Sequence, residues 1–144
     1  MKATALYKTA SVLFLVVAAG NTFGLVRFWQ VAGAMNPVRF PQGHTNLSYA
    51  QVVLGLELFC SLCVLFAAYL AWHLGNLVRN TPQAIGALGW LLFAYQLVGV
   101  YMSFRFFAGP VLILSTVLAI CLGWAAWLST EYGRREHQRN ERIA

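Results

Sequence analysis

Residues 55–72 form an apolar run, GLELFCSLCVLFAAYLAW, that is long enough to cross a lipid bilayer. The run contains Glu57, which is the one acidic residue between Met1 and Thr130. A run of this kind constrains the chain to a membrane-spanning helix, and an ionisable group at membrane depth costs about 3 kcal/mol unless a partner neutralises it. Glu57 is therefore the first candidate for a functional residue.

The composition predicts an integral membrane protein. Of the 144 residues, 60% are hydrophobic and 10% are charged, and the mean hydropathy is +0.65. Soluble domains are less apolar and carry more charge, so an ordinary soluble domain is excluded. The length accommodates four spans of about 20 residues each. We predict an all-α fold with a single domain over residues 1–144, an antiparallel bundle of four transmembrane helices.

Four apolar runs define the predicted spans, at residues 5–28, 48–73, 82–107 and 110–129, followed by a polar tail at 130–144. The first run continues past the small residues 18–20 to spanning length, so we expect a membrane span rather than a cleaved leader. Short connections between spans two, three and four make these helices antiparallel neighbours.

Capping and turn-forming residues separate the runs. Ser48 and Gln51 have the spacing of a capping box, which places the start of span two. Gly75 and Asn76 are predicted to end that span. The other breaks combine proline with glycine or a capping residue: Pro37, Pro41 and Gly43 before span two, Thr81-Pro82 before span three, and Ala108-Gly109-Pro110 before span four.

The basic residues predict the orientation in the membrane. With both termini in the cytoplasm, seven basic residues lie inside and three outside, as the positive-inside rule favours. The inner set is Lys2, Lys8, Arg79, Arg134, Arg135, Arg139 and Arg142, and the outer set is Arg27, Arg39 and Arg105. The formal charge of +6 lies at the helix ends and in the tail, so we expect anionic membrane lipids rather than nucleic acid as partners.

Glu57 lies about 13 Å along span two from the Ser48 cap, in the outer half of the bilayer. Because helical side chains lean toward the N-terminus, Arg27 and Arg105 are expected to lean into the membrane and Glu57 to lean toward them. Further polar residues of spans one and three fall in the same half: Asn21, Tyr95, Gln96 and Tyr101. This set predicts either an ion pair that fixes helix register or an outward-opening polar pocket.

The pocket interpretation predicts a non-catalytic protein that binds a lipid, quinone or similar amphiphile by its polar end. One alternative is a membrane-embedded enzyme in which Glu57 is the general acid or base. Another is an accessory subunit of a larger membrane complex or a homo-oligomer, since small residues recur on every span. The sequence does not identify the ligand.

Cysteines and histidines give little support for redox or metal chemistry. Cys60 and Cys63 form a CxxC pattern, but the pair lies mid-helix, where two such cysteines usually remain thiols. A redox role stays open as the minor alternative. His44, His73 and His137 share no helical face at ligand spacing, so no metal and no cofactor is expected.

Three segments carry a resemblance to a known group: KTASVLFLVVAAGNTFG in span one, the span-two segment with its glutamate, and RFFAGPVLILSTVLAICLGWAAWL around span four. Together they resemble small bacterial four-span inner-membrane proteins of the DoxX-like set. The resemblance implies a bacterial inner-membrane location. That group often has a histidine where this chain has Asn21, so a metal or proton-relay role is not carried over to Asn21.

Overall fold

The computed structural model describes residues 2–32, 39–42, 45–80, 85–106 and 109–141. Four long helices and one short hairpin follow in the order α1 (Lys2–Ala32), β1 (Arg39–Gln42), β2 (Thr45–Ser48), α2 (Tyr49–Asn80), α3 (Gly86–Phe106) and α4 (Pro110–Glu141). All four helices contain segments long and apolar enough to cross a membrane: Lys2–Leu25, Tyr49–Val78, Ala87–Arg105 and Pro110–Glu131. The predicted all-α fold of a multi-pass membrane protein is confirmed.

The start of α2 is fixed by a capping box, as the sequence predicts. The backbone N–H of Ser48 donates to Gln51 Oε1 at 2.9 Å, and the N–H of Gln51 donates to Ser48 Oγ at 3.4 Å. These two bonds satisfy donors that the first helical turn leaves without a partner. The cap therefore ends strand β2 and begins the helix at Tyr49.

An antiparallel hairpin lies in the connection between α1 and α2, where the sequence analysis predicts only a break. Its register pairs Arg39 with Ser48 and Gln42 with Thr45. Two residues separate the strands, so Gln42 and Thr45 form the hydrogen-bonded pair next to the turn. Pairs alternate along the ladder, which places Pro41 at a non-hydrogen-bonded pair. Its missing N–H therefore removes no ladder bond.

The turn between α3 and α4 depends on Gly109 and Pro110. Gly109 has φ of 75°, a conformation that glycine adopts without steric cost. Its carbonyl accepts from the N–H of Ile113 at 3.3 Å, and Pro110 occupies the first helical position. The predicted short turn is confirmed at these residues.

One predicted helix boundary is wrong. Gly75 and Asn76 do not end α2, which continues to Asn80. The polar stretch 130–141 continues α4 as helix beyond the candidate membrane span, which ends at Glu131, because this stretch is rich in good helix formers and contains no proline. At 1.5 Å per residue, α4 is about 48 Å long, so it extends beyond a hydrocarbon core of about 30 Å. The predicted Thr81-Pro82 cap lies outside the described residues.

The chain divides into two compact units. The terminal unit comprises Met1–Phe14 and Ala67–Ala144, and the central unit comprises Leu15–Phe66. The terminal unit contains parts of all four helices, packed as antiparallel neighbours. Whether the chain forms a single domain, as predicted, is left open by this division.

The side chain of Tyr7 lies fully buried in the core of the terminal unit. A Cβ atom on Gly75 of α2 would meet Tyr7 Cβ at 3.3 Å, and one on Gly89 of α3 would overlap the Tyr7 hydroxyl. That Gly89 position also lies 3.4 Å from Ala126 Cβ of α4. Small residues thus let three helices approach α1 around one tyrosine. Gly75 serves this close approach, which explains why it does not end α2.

Hydrogen bonds from side chains join the same helices. Ser11 Oγ of α1 donates to the Ala68 carbonyl of α2 at 2.8 Å, in a buried position. Trp90 Nε1 of α3 donates to Thr130 Oγ1 of α4 at 3.2 Å. The Tyr7 hydroxyl, by contrast, forms no hydrogen bond within the described part of the chain, although Ser129 Oγ, which donates to the Ala125 carbonyl, lies nearby.

We predict that Gly89→Ala destabilises the protein by about 1–3 kcal/mol, because the added methyl overpacks the core against the Tyr7 hydroxyl. Tyr7→Phe removes that hydroxyl, and since the hydroxyl has no described partner the single change should be nearly neutral. The double variant with both changes should recover most of the stability that Gly89→Ala loses. Thermal unfolding in detergent measures all three.

Gly99→Ala is the matched control on the same helix. An added Cβ there would meet the Gln96 side chain at ordinary contact distances of 3.6–3.8 Å. Its stability should equal or slightly exceed that of the wild type. An equal loss of stability in Gly89→Ala and Gly99→Ala would contradict the close approach of α3 to α1 at Tyr7.

Candidate ligand-binding site

Glu57 lies on α2 in the central unit, eight residues after Tyr49, which is about 12 Å along the helix axis. Its side chain is half-buried, between the exposed neighbours Leu56 and Leu58. Within the part of the chain that the structure describes, no hydrogen bond or ion pair of the carboxyl is found. Glu57 is thus the one acidic residue of α2, and its carboxyl has no described hydrogen-bond partner.

Two other predicted site residues belong to the central unit. Asn21 lies on α1 and is half-buried. Arg27 also lies on α1, but its side chain is outside the described residues. An ion pair between Glu57 and Arg27 therefore remains a prediction.

The remaining predicted residues lie on α3 in the terminal unit. Arg105 is in the last turn of α3 and is exposed, as are Tyr95 and Tyr101. Because these residues and Glu57 belong to different units, the predicted convergence of Arg105 on Glu57 also remains a prediction.

Gln96 serves packing between α3 and α4. Its side chain is 5% exposed, and its Nε2 donates to the Ser115 carbonyl at 3.1 Å and to Ser115 Oγ at 3.0 Å. Arg105 follows Gln96 by nine residues, or 2.5 helical turns, and therefore lies on the opposite face of α3. The sequence places both residues on span three but cannot assign them to opposite faces.

We predict that Gln96→Leu destabilises the protein by about 0.5–2 kcal/mol, the range of interhelical hydrogen bonds in membranes. Ser115→Ala should cost less, because the backbone carbonyl of residue 115 still accepts from Gln96. Unfolding of both single variants and the double variant in detergent gives their interaction energy. Strictly additive effects would contradict the direct bond.

The cysteines are free thiols, with Cys60 exposed and Cys63 half-buried. Cys60 lies three residues after Glu57, on the same side of α2. Among the described residues, no group of three or more histidine, cysteine or acidic side chains is arranged to hold a metal ion. The expected lack of metal and cofactor stays a prediction.

A second candidate site, missed by the sequence analysis, lies in the terminal unit. An open groove of about 490 Å³ runs between the first turns of α1 and the middle of α4. Lys2 and Leu6 line it from α1, and Trp124 and Leu128 line it from α4. Sequence patterns do not show which helices are neighbours. The available signal was a lysine at the start of an apolar run.

Neither a model of a known protein family, nor a curated protein, nor a solved structure matches this chain. The resemblance to DoxX-like proteins therefore stays a prediction.

Proposed function

We propose that this membrane protein binds an amphiphile, such as a lipid or a quinone, whose polar end donates a hydrogen bond to Glu57. The observation that carries this proposal is the half-buried Glu57 carboxyl on a membrane-spanning helix, without a partner in the described chain. Keeping an ionisable group at this depth costs about 3 kcal/mol, so such residues are commonly functional. A hydrogen-bond donor on the ligand would recover part of that cost by binding the Glu57 carboxyl.

The surrounding residues suit a ligand with a polar head and an apolar body. Exposed Leu56 and Phe59 flank Glu57 on α2 and supply apolar contact area. Asn21 is a further polar group of the central unit, and its amide both donates and accepts. Arg27, Arg105, Tyr95 and Tyr101 belong to this proposal as additional ligand contacts predicted from the sequence.

Binding without catalysis is favoured over the enzyme alternative. General acid–base chemistry needs a catalytic group held in position by neighbours, and nothing among the described residues positions the Glu57 carboxyl by a hydrogen bond. The enzyme alternative, with Glu57 as acid or base, would show as turnover that Glu57→Gln abolishes while binding survives.

A specific observation supports a second candidate, a subunit of a homo-oligomer or larger membrane complex. Cβ atoms added to Gly20, Gly24 and Gly55 of the central unit would meet nothing within 4 Å. Glycines on membrane helices commonly mark contacts with another helix. In that case the hydrogen-bond donor to Glu57 belongs to a helix of another chain. Co-purification would then recover a protein rather than a small amphiphile.

We place the protein in a bacterial inner membrane with both termini in the cytoplasm. Lys2, Lys8 and Arg134 lie at the end of the terminal unit that contains the start of α1, and Arg105 lies near the end of α3 on the other side. This distribution supports the orientation through the positive-inside rule. The bacterial location rests on the DoxX-like resemblance.

The amphiphile proposal is tested by mass spectrometry of small molecules that co-purify with the protein. We expect one amphiphile class with the wild type and at least fivefold less with Glu57→Leu, because leaving a buried hydrogen-bonding group of the ligand unpaired costs about 1–3 kcal/mol. Glu57→Gln should retain part of the ligand, since its amide oxygen still accepts.

Glu141→Gln is the matched control, because it makes the same chemical change beyond the membrane-spanning part of α4. It should co-purify with as much ligand as the wild type. Equal ligand content in the wild type and in folded Glu57→Leu would refute a ligand at Glu57.

The orientation is tested with a reporter fused after Ala144 that is active only in the cytoplasm. We expect full activity, because the basic residues at this end oppose translocation. The same reporter inserted between α1 and α2 should be inactive. Activity in the reverse pattern would place the termini outside.

A further inference from the structure

The groove in the terminal unit is shaped for a thin apolar chain. Its α4 wall is a stripe of side chains four residues apart, Ile120, Trp124 and Leu128, with Cys121 beside it. Eight residues separate the first from the last, so the stripe is about 12 Å long. Ile120 and Trp124 are 62% and 57% exposed, so the wall is open to whatever lies beside the helices. The matching occupant is a hydrocarbon chain.

The α1 wall adds small and apolar side chains and one charge. Ala5 and Leu6 continue the apolar lining, and Lys2 is its one charged residue. Because α1 and α4 run antiparallel here, Lys2 lies at the Leu128 end of the groove, where α4 approaches the membrane surface. The groove thus has an apolar length and a cationic end.

The amine of Lys2 is available to a ligand, unlike that of its neighbour Lys8. Lys8 Nζ lies 4.8 Å from the ring centroid of Trp72, in a cation–π contact. For Lys2, the described residues offer no hydrogen bond or ion pair. An ammonium group without a described partner attracts an anionic group. The polar end of the occupant should therefore be anionic.

We propose that this groove binds an anionic phospholipid of the bilayer, with one acyl chain along Ile120, Trp124 and Leu128 and its phosphate at the Lys2 amine. Basic pockets beside membrane helices on the cytoplasmic side recognise anionic lipid head groups in this way. The site lies in the terminal unit and uses no residue of the Glu57 site. It would stand if the proposal for Glu57 failed.

The test is a native mass spectrometry titration of detergent-purified protein with phosphatidylglycerol and with phosphatidylcholine of identical acyl chains. We expect phosphatidylglycerol to bind about fivefold more tightly, the contribution of one basic residue near a charged bilayer surface. Lys2→Gln should abolish this preference. Arg134→Gln removes the same charge from an exposed position outside the lining and should preserve it.

A second pair of variants tests the acyl-chain contact. Ala5→Trp fills the groove and should weaken the binding of both lipids severalfold. Ala94→Trp places the same side chain on an exposed position of α3 and should leave both affinities unchanged. Lys2→Gln alters an exposed residue, so it keeps the test informative even if Ala5→Trp fails to fold.

Three results would overturn the proposal. Equal affinity for the two lipids would remove the anionic preference. An equal loss of the phosphatidylglycerol preference in Lys2→Gln and Arg134→Gln would show that general surface electrostatics, and not a specific site, causes the preference. Displacement of phosphatidylglycerol by excess inorganic phosphate would show an anion site without a bound chain.

Discussion

Close approach of four helices around Tyr7 is the constraint on which the rest of the terminal unit depends. In a bilayer, apolar side chains gain nothing from leaving lipid for another apolar helix, so association rests on close contact and interhelical hydrogen bonds. Gly75 and Gly89 remove the side chains that would hold α2 and α3 away from α1. Gly89 also lies close to Ala126 of α4, and the Gln96–Ser115 hydrogen bonds join the same two helices.

The two units differ in the hydrogen bonds of their polar side chains. In the terminal unit, Ser11, Gln96 and Trp90 each donate to an acceptor on a neighbouring helix. In the central unit, Glu57 has no described partner, and three glycines have open space beside them. Polar groups that are already bonded stabilise packing, whereas a polar group at membrane depth without a bond favours a ligand or another chain. The contrast favours Glu57 as the residue that binds the amphiphile, independently of the lipid groove in the terminal unit.

Local signals in the sequence predict local structure well. The Ser48–Gln51 capping box and the turn at Gly109 and Pro110 depend on residues within one helical turn, and both are confirmed. The role of Gly75 depends instead on α1, which lies more than sixty residues earlier in the chain. A glycine that admits a neighbouring helix and a glycine that ends a helix look alike in a single sequence, and for this reason the predicted end of α2 is wrong.

The candidate sites show the same limit. Apolar context alone identifies Glu57, but every helix in this chain is apolar on most faces, so hydropathy cannot tell a lipid-facing residue from one that faces another helix. For this reason Gln96 stands among the predicted ligand contacts although it bonds to α4, and hydropathy does not point to Tyr7 or to the Lys2 groove. The two sites also differ in chemistry, because a carboxyl favours a donor whereas an amine favours an anion. A head group with a single anionic charge suits Lys2 and is disfavoured at Glu57, so the two sites should select different ligands.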